Sequence, residues 1–193
     1  WATRSIPRSA TEGADMKKVI VVTSSPRRGG NTEMLARRFA EGAEDAGNEV
    51  KLVAVRDLGL KFCTGCLFCQ SHDRCVLDDG MNALYPEIQQ ADVLVFATPV
   101  YYYSVCGQLK TFLDRLNPLF PRENRFREIY LLAAGAEDED GLERGALSDI
   151  QGWADCFEGV RIAGVLCAKG VQDRGDVAET GYPERAYALG RDV

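Results

Sequence analysis

The chain has 193 residues, 46% of them hydrophobic and 27% charged, with a formal net charge of −6. That balance suits one soluble domain with a single core. The acidic surplus argues against nucleic acid, which rewards basic surfaces, and no apolar run reaches the length needed to cross a bilayer. No basic start followed by an apolar core marks a secretory leader, so the expected location is cytoplasmic. Residues 1–15 lack periodicity and read as a disordered or vector-derived arm, with Met16-Lys17-Lys18 resembling a natural start. Residues 16–193 read as one domain.

Val19-Ile20-Val21-Val22 predicts a buried strand; Met34, Leu35 and Phe39 then recur at helix spacing. Gly47 stops that helix, and Val50–Val55 predicts a second strand. A long loop over residues 56–80 carries four of the seven cysteines. A helix over Met81–Gln90 follows Asp78 and Asp79, whose simplest role is its N-cap. Val93–Phe96 predicts a third strand, and a tyrosine-rich loop over Thr98–Cys106 opens a helix carrying Leu109, Phe112, Leu113 and Leu116. Ile129–Leu132 predicts the fourth strand, followed by a solvated acidic loop, Glu137–Asp140, and a helix through Trp153. Val160–Leu166 predicts the fifth, with Cys167 as a small core residue. A short last helix begins at Pro183 and stops near Gly190. Five strands alternating with helices predict an α/β fold, a parallel sheet covered on both faces. The expected strand order is 2-1-3-4-5. Ligands then sit beyond the strand C-termini where the order reverses, between the first strand and the third.

The loop after the first strand, Ser24-Ser25-Pro26-Arg27-Arg28-Gly29-Gly30-Asn31-Thr32, has the chemistry of a phosphate cradle. Unpartnered N–H groups at a helix start and the helix dipole both favour an anion. Asn31 stands where a nucleoside-triphosphate loop needs lysine, and the glycines are adjacent rather than spaced as a dinucleotide fingerprint requires. A hydroxyl-rich loop without lysine suits a terminal monophosphate, such as that of FMN. The plain alternative is a Ser/Gly turn with an N-cap at Asn31. Across the reversal point, Pro99, Val100, Tyr101, Tyr102, Tyr103 and Ser104 could wall a flat ring; their alternative is a dimer interface or a cap on the core.

Cys63, Cys66, Cys69 and Cys75 follow C-x2-C-x2-C-x5-C spacing. The first three match a ferredoxin-type run, although no proline follows the last. Zinc sites more often use two separated pairs, yet spacing alone leaves both metals open. His72, the one histidine, reads as a solvated loop residue with a proton donor or metal ligand as the alternative.

Ser25-Pro26-Arg27 with Gly30-Asn31-Thr32, Thr98-Pro99-Val100-Tyr101, and Gly107-Gln108-Leu109-Lys110 with Phe112-Leu113-Asp114-Arg115 resemble the NADPH-dependent FMN reductase family of flavodoxin-like proteins. Cys63-Thr64-Gly65-Cys66-Leu67-Phe68-Cys69, then Cys75-Val76-Leu77-Asp78-Asp79 and Met81, narrow the resemblance to the iron–sulfur flavoprotein branch. The similarity runs from about Lys17 to Leu116, and Ser24 departs from the family's usual glycine. The resemblance implies a three-layer flavodoxin-like sandwich and FMN as cofactor. Ser25, Arg27, Asn31 and Thr32, with Ser24 beside them, would hold the phosphate. Pro99, Val100 and Tyr101 would flank the ring, with Tyr102, Tyr103 and Ser104 nearby and Ala134 and Gly135 approaching from the other side. In the resembled branch the four cysteine positions carry a [4Fe-4S] cluster. The implied function is an oxidoreductase fed by NAD(P)H or ferredoxin, passing electrons to a small-molecule or protein acceptor, and forming a homodimer or higher homo-oligomer. The competing readings are a non-enzymatic flavodoxin-like electron carrier and a cofactor-free module stapled by zinc.

Overall fold

The structure, a computed structural model, describes residues 16–193; the arm expected over residues 1–15 lies outside the described residues. In chain order the strands are β1 (Lys18–Thr23), β2 (Glu49–Ala54), β3 (Val93–Tyr101), β4 (Ser104–Val105), β5 (Glu128–Ala134) and β6 (Arg161–Ala168). The helices are α1 (Asn31–Asp45), α2 (Phe68–Ser71), α3 (Met81–Gln90), α4 (Gly107–Asp114), α5 (Arg144–Ala154) and α6 (Tyr182–Arg191).

Side chains alternate across a strand, so each β-branched run feeds both faces of the sheet. Ile20, Val22, Leu94, Phe96, Ile129 and Leu131 face one layer, where α3, α4 and α5 contribute Leu84, Ile88, Leu109, Phe112 and Ile150. Val19, Val21, Val93, Val95 and Leu132 face the other, against Leu35, Phe39 and Ala43 of α1 and Ala186 of α6. The result is the three-layer α/β sandwich expected from the sequence. The parallel strands run β2-β1-β3-β5-β6, with β4 paired to β3 off that path. Counting parallel strands alone, this is the expected order; the added strand shifts the numbering.

That added strand corrects the reading of Thr98–Cys106 as a loop. β3 continues through Tyr101, turns at Tyr102 and Tyr103, and returns as β4, with Val100 opposite Val105 and Tyr101 opposite Ser104. Both turn residues have positive φ, 50° and 62°, which is the geometry of a two-residue type I′ hairpin. Such turns normally use Asn or Gly, so a Tyr-Tyr pair gives no hairpin signal in sequence and holds a strained backbone. Among the described residues no helix is long and apolar enough to cross a membrane.

Candidate functional site

A cleft opens where β1, β3 and β5 end. Ser25, Arg27, Gly30, Asn31 and Thr32 form one side; Pro99, Val100, Tyr101, Ala134, Gly135 and Ala136 form the other. Val171, Gln172 and Arg174, from the segment after β6, close a third side.

At the polar end, α1 begins after Gly30 with no side-chain cap. The first turn closes with a bond from Met34 N–H to Gly30 C=O, so the N–H groups of Asn31, Thr32 and Glu33 have no partner one helical turn back. Arg27 donates to the carbonyl of Gln172 at 3.1 Å, and Arg174 reaches the carbonyl of Gly29 at 3.4 Å. Two guanidiniums and a helix N-terminus therefore make this end electropositive. The opposite end is backbone and small side chains. A Cβ on Gly135, just past β5, would stand 2.8 Å from the end of the Leu142 side chain and 3.3 Å from Val100, so a larger residue there would push Leu142 aside.

Several expected residues do different work. Ser24 is buried and does not line the cleft; its hydroxyl donates to the Ala97 carbonyl at 2.8 Å, tying β1 to β3. Asn31 lines the cleft, but its amide is engaged elsewhere. Nδ2 donates to Asp173 C=O, and Oδ1 accepts from the N–H groups of Gly175 and Val177. Its side chain thus pins the third wall, leaving its backbone N–H for an anion. Tyr102, Tyr103 and Ser104 also lie outside the lining. Tyr102 is fully exposed at the hairpin tip. Glu139 beside the Tyr103 hydroxyl raises its pKa. Ser104 donates to Asp149 at 2.5 Å, and a Cβ on Gly145 would sit 1.8 Å from the Tyr103 carbonyl. Gly145 and Asp149, one turn apart on α5, brace the hairpin.

Sequence reading missed Ala136, Val171, Gln172 and Arg174. The third wall joins the phosphate loop from more than 140 positions away, and the only local hint is a basic residue beside Gly175, which has φ of 98°. It also missed Glu33 and Arg56, which stand behind the loop. Gly30-x-x-Glu33 has capping-box spacing, the one signal available for that pair. Burial alone would raise the Glu33 carboxyl, but hydrogen bonds from Arg37, Gly29 and Arg56 outweigh it and hold the pKa at about 2, against an ordinary 4.5. A carboxyl lowered on folding stabilises above its unfolded pKa, and that contribution is lost as pH falls through the folded value. The stability difference between wild type and Glu33→Gln is therefore expected to be constant above pH ~5 and to shrink by about 3 kcal/mol towards pH 2. Denaturant unfolding across that range checks it; a pH-independent difference refutes it.

The cysteine loop is a second candidate. Its ends are fastened by Arg115, whose guanidinium bonds both oxygens of Asp79, at 2.5 and 2.9 Å, and the Lys61 carbonyl at 2.8 Å. Asp79 also accepts from Met81 N–H, but the N-cap expected at Asp78 or Asp79 falls instead on Gly80, which makes no side-chain cap bond. Within the loop, Cys69 is buried and its sulfur accepts from Asn117 Nδ2 at 3.2 Å; Cys75 is half-buried, its backbone held by Asn82. Cys63 and Cys66 are exposed. The Phe68 N–H and the Thr64 hydroxyl lower the Cys66 pKa. His72 is exposed, but its ring stacks on Phe68 and its Nδ1 lies 3.0 Å from both the Phe68 carbonyl and the Ser71 hydroxyl. Four thiols suit a cluster chemically, but their arrangement does not: among the described residues no three Cys, His, Asp or Glu side chains gather as a metal set. Cys167 is partly buried, which pushes its thiol up to about 11.

Residues 17–148 match the family described as NADPH-dependent FMN reductase. An iron–sulfur flavoprotein of Archaeoglobus fulgidus is 35% identical over 52% of this chain and 46% of its own length. An iron–sulfur flavoprotein of Methanosarcina thermophila is 30% identical over 70% of this chain and 72% of its own. The chain thus matches between 46% and 72% of the length of such relatives. The NAD(P)H:quinone oxidoreductase from Methanothermobacter marburgensis superposes with a TM-score of 0.69 at 18% identity, covering 92% of this chain and 96% of that one, which shows a shared fold.

Proposed function

The chain belongs to the NADPH-dependent FMN reductase family, in its iron–sulfur flavoprotein branch, and on that premise we propose that it is an oxidoreductase binding FMN in the cleft at the ends of β1, β3 and β5. Its electrons come from a reduced nicotinamide or a reduced ferredoxin and go to a small-molecule or protein acceptor. The observation that carries this reading is the α1 N-terminus without a side-chain cap, flanked by Ser25, Thr32, Arg27 and Arg174 at the strand-order reversal.

FMN, when bound, supplies one- and two-electron transfer. The chain's part is holding and orienting it. Ser25, Arg27, Thr32, Arg174 and the first N–H groups of α1 hold the phosphate. Pro99, Val100 and Tyr101 flank the ring, with Ala134, Gly135 and Ala136 opposite. Among the described residues no Asp, Glu, His, Lys or Cys lines the cleft, which leaves Tyr101 as the side chain there able to donate a proton.

Cys63, Cys66, Cys69 and Cys75 are the positions a [4Fe-4S] cluster would take, a reading supported by the names of the relatives. It requires the exposed arm with Cys63 and Cys66 to close toward Cys69. Iron and sulfide assayed on protein purified without oxygen test the cluster; size-exclusion chromatography with light scattering tests the expected homo-oligomer.

Anaerobic titration tests the main reading. Protein incubated with FMN and desalted retains flavin, and NADH or NADPH bleaches it. Reduction by ferredoxin alone favours a carrier, and failure to retain flavin overturns the proposal. Thr32→Val removes a hydroxyl at the phosphate end and is expected to weaken FMN about tenfold. Flavin fluorescence quenching measures it, and an unchanged Kd removes Thr32 from the phosphate site.

A further inference from the structure

Glu33 and Arg56 stand outside the cleft yet touch the loop that forms its polar end. Glu33 Oε2 accepts the Gly29 N–H at 3.0 Å and lies 3.0 Å from Arg56 Nη1. Glu33 Oε1 accepts from Arg37 at 2.8 Å. Arg56 Nη1 also donates to the Ser25 carbonyl, at 3.3 Å. One ion pair thus grips the loop at both ends of its Pro26–Arg28 bend. We infer that Arg56, held by Glu33, is a positioning residue for the flavin phosphate, setting the shape of a cradle it does not itself enter.

The physical argument starts from what an anion site must exclude. A carbonyl oxygen aimed at phosphate repels it, as an N–H attracts it. Arg56 occupies the Ser25 carbonyl, and Glu33 takes up the Gly29 N–H from the rear. The loop's polar groups are thereby sorted, leaving the N–H groups at the start of α1 beside the cleft. Gly29 takes φ of +63°, which glycine adopts without strain but shares with many other conformations. The residue type alone therefore does not fix the turn, and the bonds from Glu33 and Arg56 select one shape for it.

The pair is also a costly way to fasten a helix to a strand end. The Arg56 and Glu33 side chains are only 14% and 7% exposed, and Arg56 Nε is buried without a hydrogen-bond partner among the described residues. Removing two charges from water offsets most of their attraction, and apolar residues of similar size often serve stability as well. What apolar residues cannot do is bond a specific carbonyl and a specific N–H.

The inference rests on the FMN reading, and comparison of FMN with riboflavin separates the two. The ligands differ only in the phosphate. Wild type is expected to bind FMN at least about a hundredfold more tightly than riboflavin. Arg56→Gln is expected to cut that preference about tenfold or more while riboflavin affinity stays within about threefold. Arg56→Lys, which keeps the charge but not the guanidinium fork, is expected to recover part of the preference and carries the test if Arg56→Gln does not fold. Equal weakening of both ligands, or an unchanged preference in a folded variant, assigns Arg56 a purely structural role and overturns the inference. Wild type that binds FMN no better than riboflavin overturns it too. Wild type that binds neither flavin overturns the FMN reading itself.

Discussion

Arg115→Ala is expected to lose about 3–5 kcal/mol of stability, a large part of what a domain of this size has. The Arg115 side chain is fully buried and that of Asp79 nearly so, at 0% and 3% exposure. Burial would raise the Asp79 carboxyl, but Arg115 and the N–H groups of Lys61 and Met81 hold it below the usual range. Removing the guanidinium leaves that carboxylate buried and uncompensated, and frees the Lys61 carbonyl as well. Lys61 and Asp79 are the two ends of the cysteine loop, so the loop should open along with the loss of stability. Urea unfolding measures the first effect, and faster alkylation of buried Cys69 measures the second. The double variant Arg115→Met with Asp79→Leu should be more stable than Arg115→Ala, because it leaves no orphan charge. A single-variant loss under about 1 kcal/mol, or a double variant worse than the single, would show that the pair is not the clasp described.

What the sequence disclosed, and what it withheld, follows from how far each interaction reaches along the chain. The alternation in Val19–Val22 and the helical spacing of Met34, Leu35 and Phe39 are local patterns, and the elements stand where those patterns put them. The placement of Ser25, Arg27, Thr32, Pro99, Val100 and Tyr101 around one cleft follows from the strand order, itself a consequence of parallel crossovers. Ser24 and Asn31 were less legible because hydroxyl and amide groups serve backbone and ligand equally well. Only the positions of Ala97, Gly175 and Val177 decide which. Tyr102 and Tyr103 hid a turn because they break the usual residue rule for it. The Arg56–Glu33 and Arg115–Asp79 pairs join positions 23 and 36 apart, and nothing in residue type distinguishes them from solvated charges.

Gly190→Ala and Gly152→Ala make the same chemical change in two helices and are expected to move stability in opposite directions. On α6, a Cβ at Gly190 would lie 2.0 Å from the Phe39 carbonyl, and one at Gly42 of α1 would lie 2.1 Å from the Tyr187 carbonyl. The two helices touch backbone to backbone, so a methyl group must push them apart. Alanine gains about 1 kcal/mol in helix propensity, but overpacking commonly costs 1–3 kcal/mol and more where backbone must move, so a net loss of about 2 kcal/mol is expected. The damage should reach the cleft. α6 follows the Asp176–Glu179 turn, whose Val177 N–H is tied to Asn31, and displacing the helix loosens the wall made by Gln172 and Arg174. FMN affinity should fall with stability. On α5, Gly152 is exposed, and among the described residues nothing beyond its own helix backbone and chain neighbours lies within 4 Å of its Cβ position. There alanine keeps the propensity gain without the clash, for a stabilisation of about 0.5–1 kcal/mol. Thermal unfolding of the two variants side by side separates packing from propensity. If Gly190→Ala also stabilises, α1 and α6 are not in the backbone contact that makes glycine necessary, and the link from the last helix to the cleft falls with it.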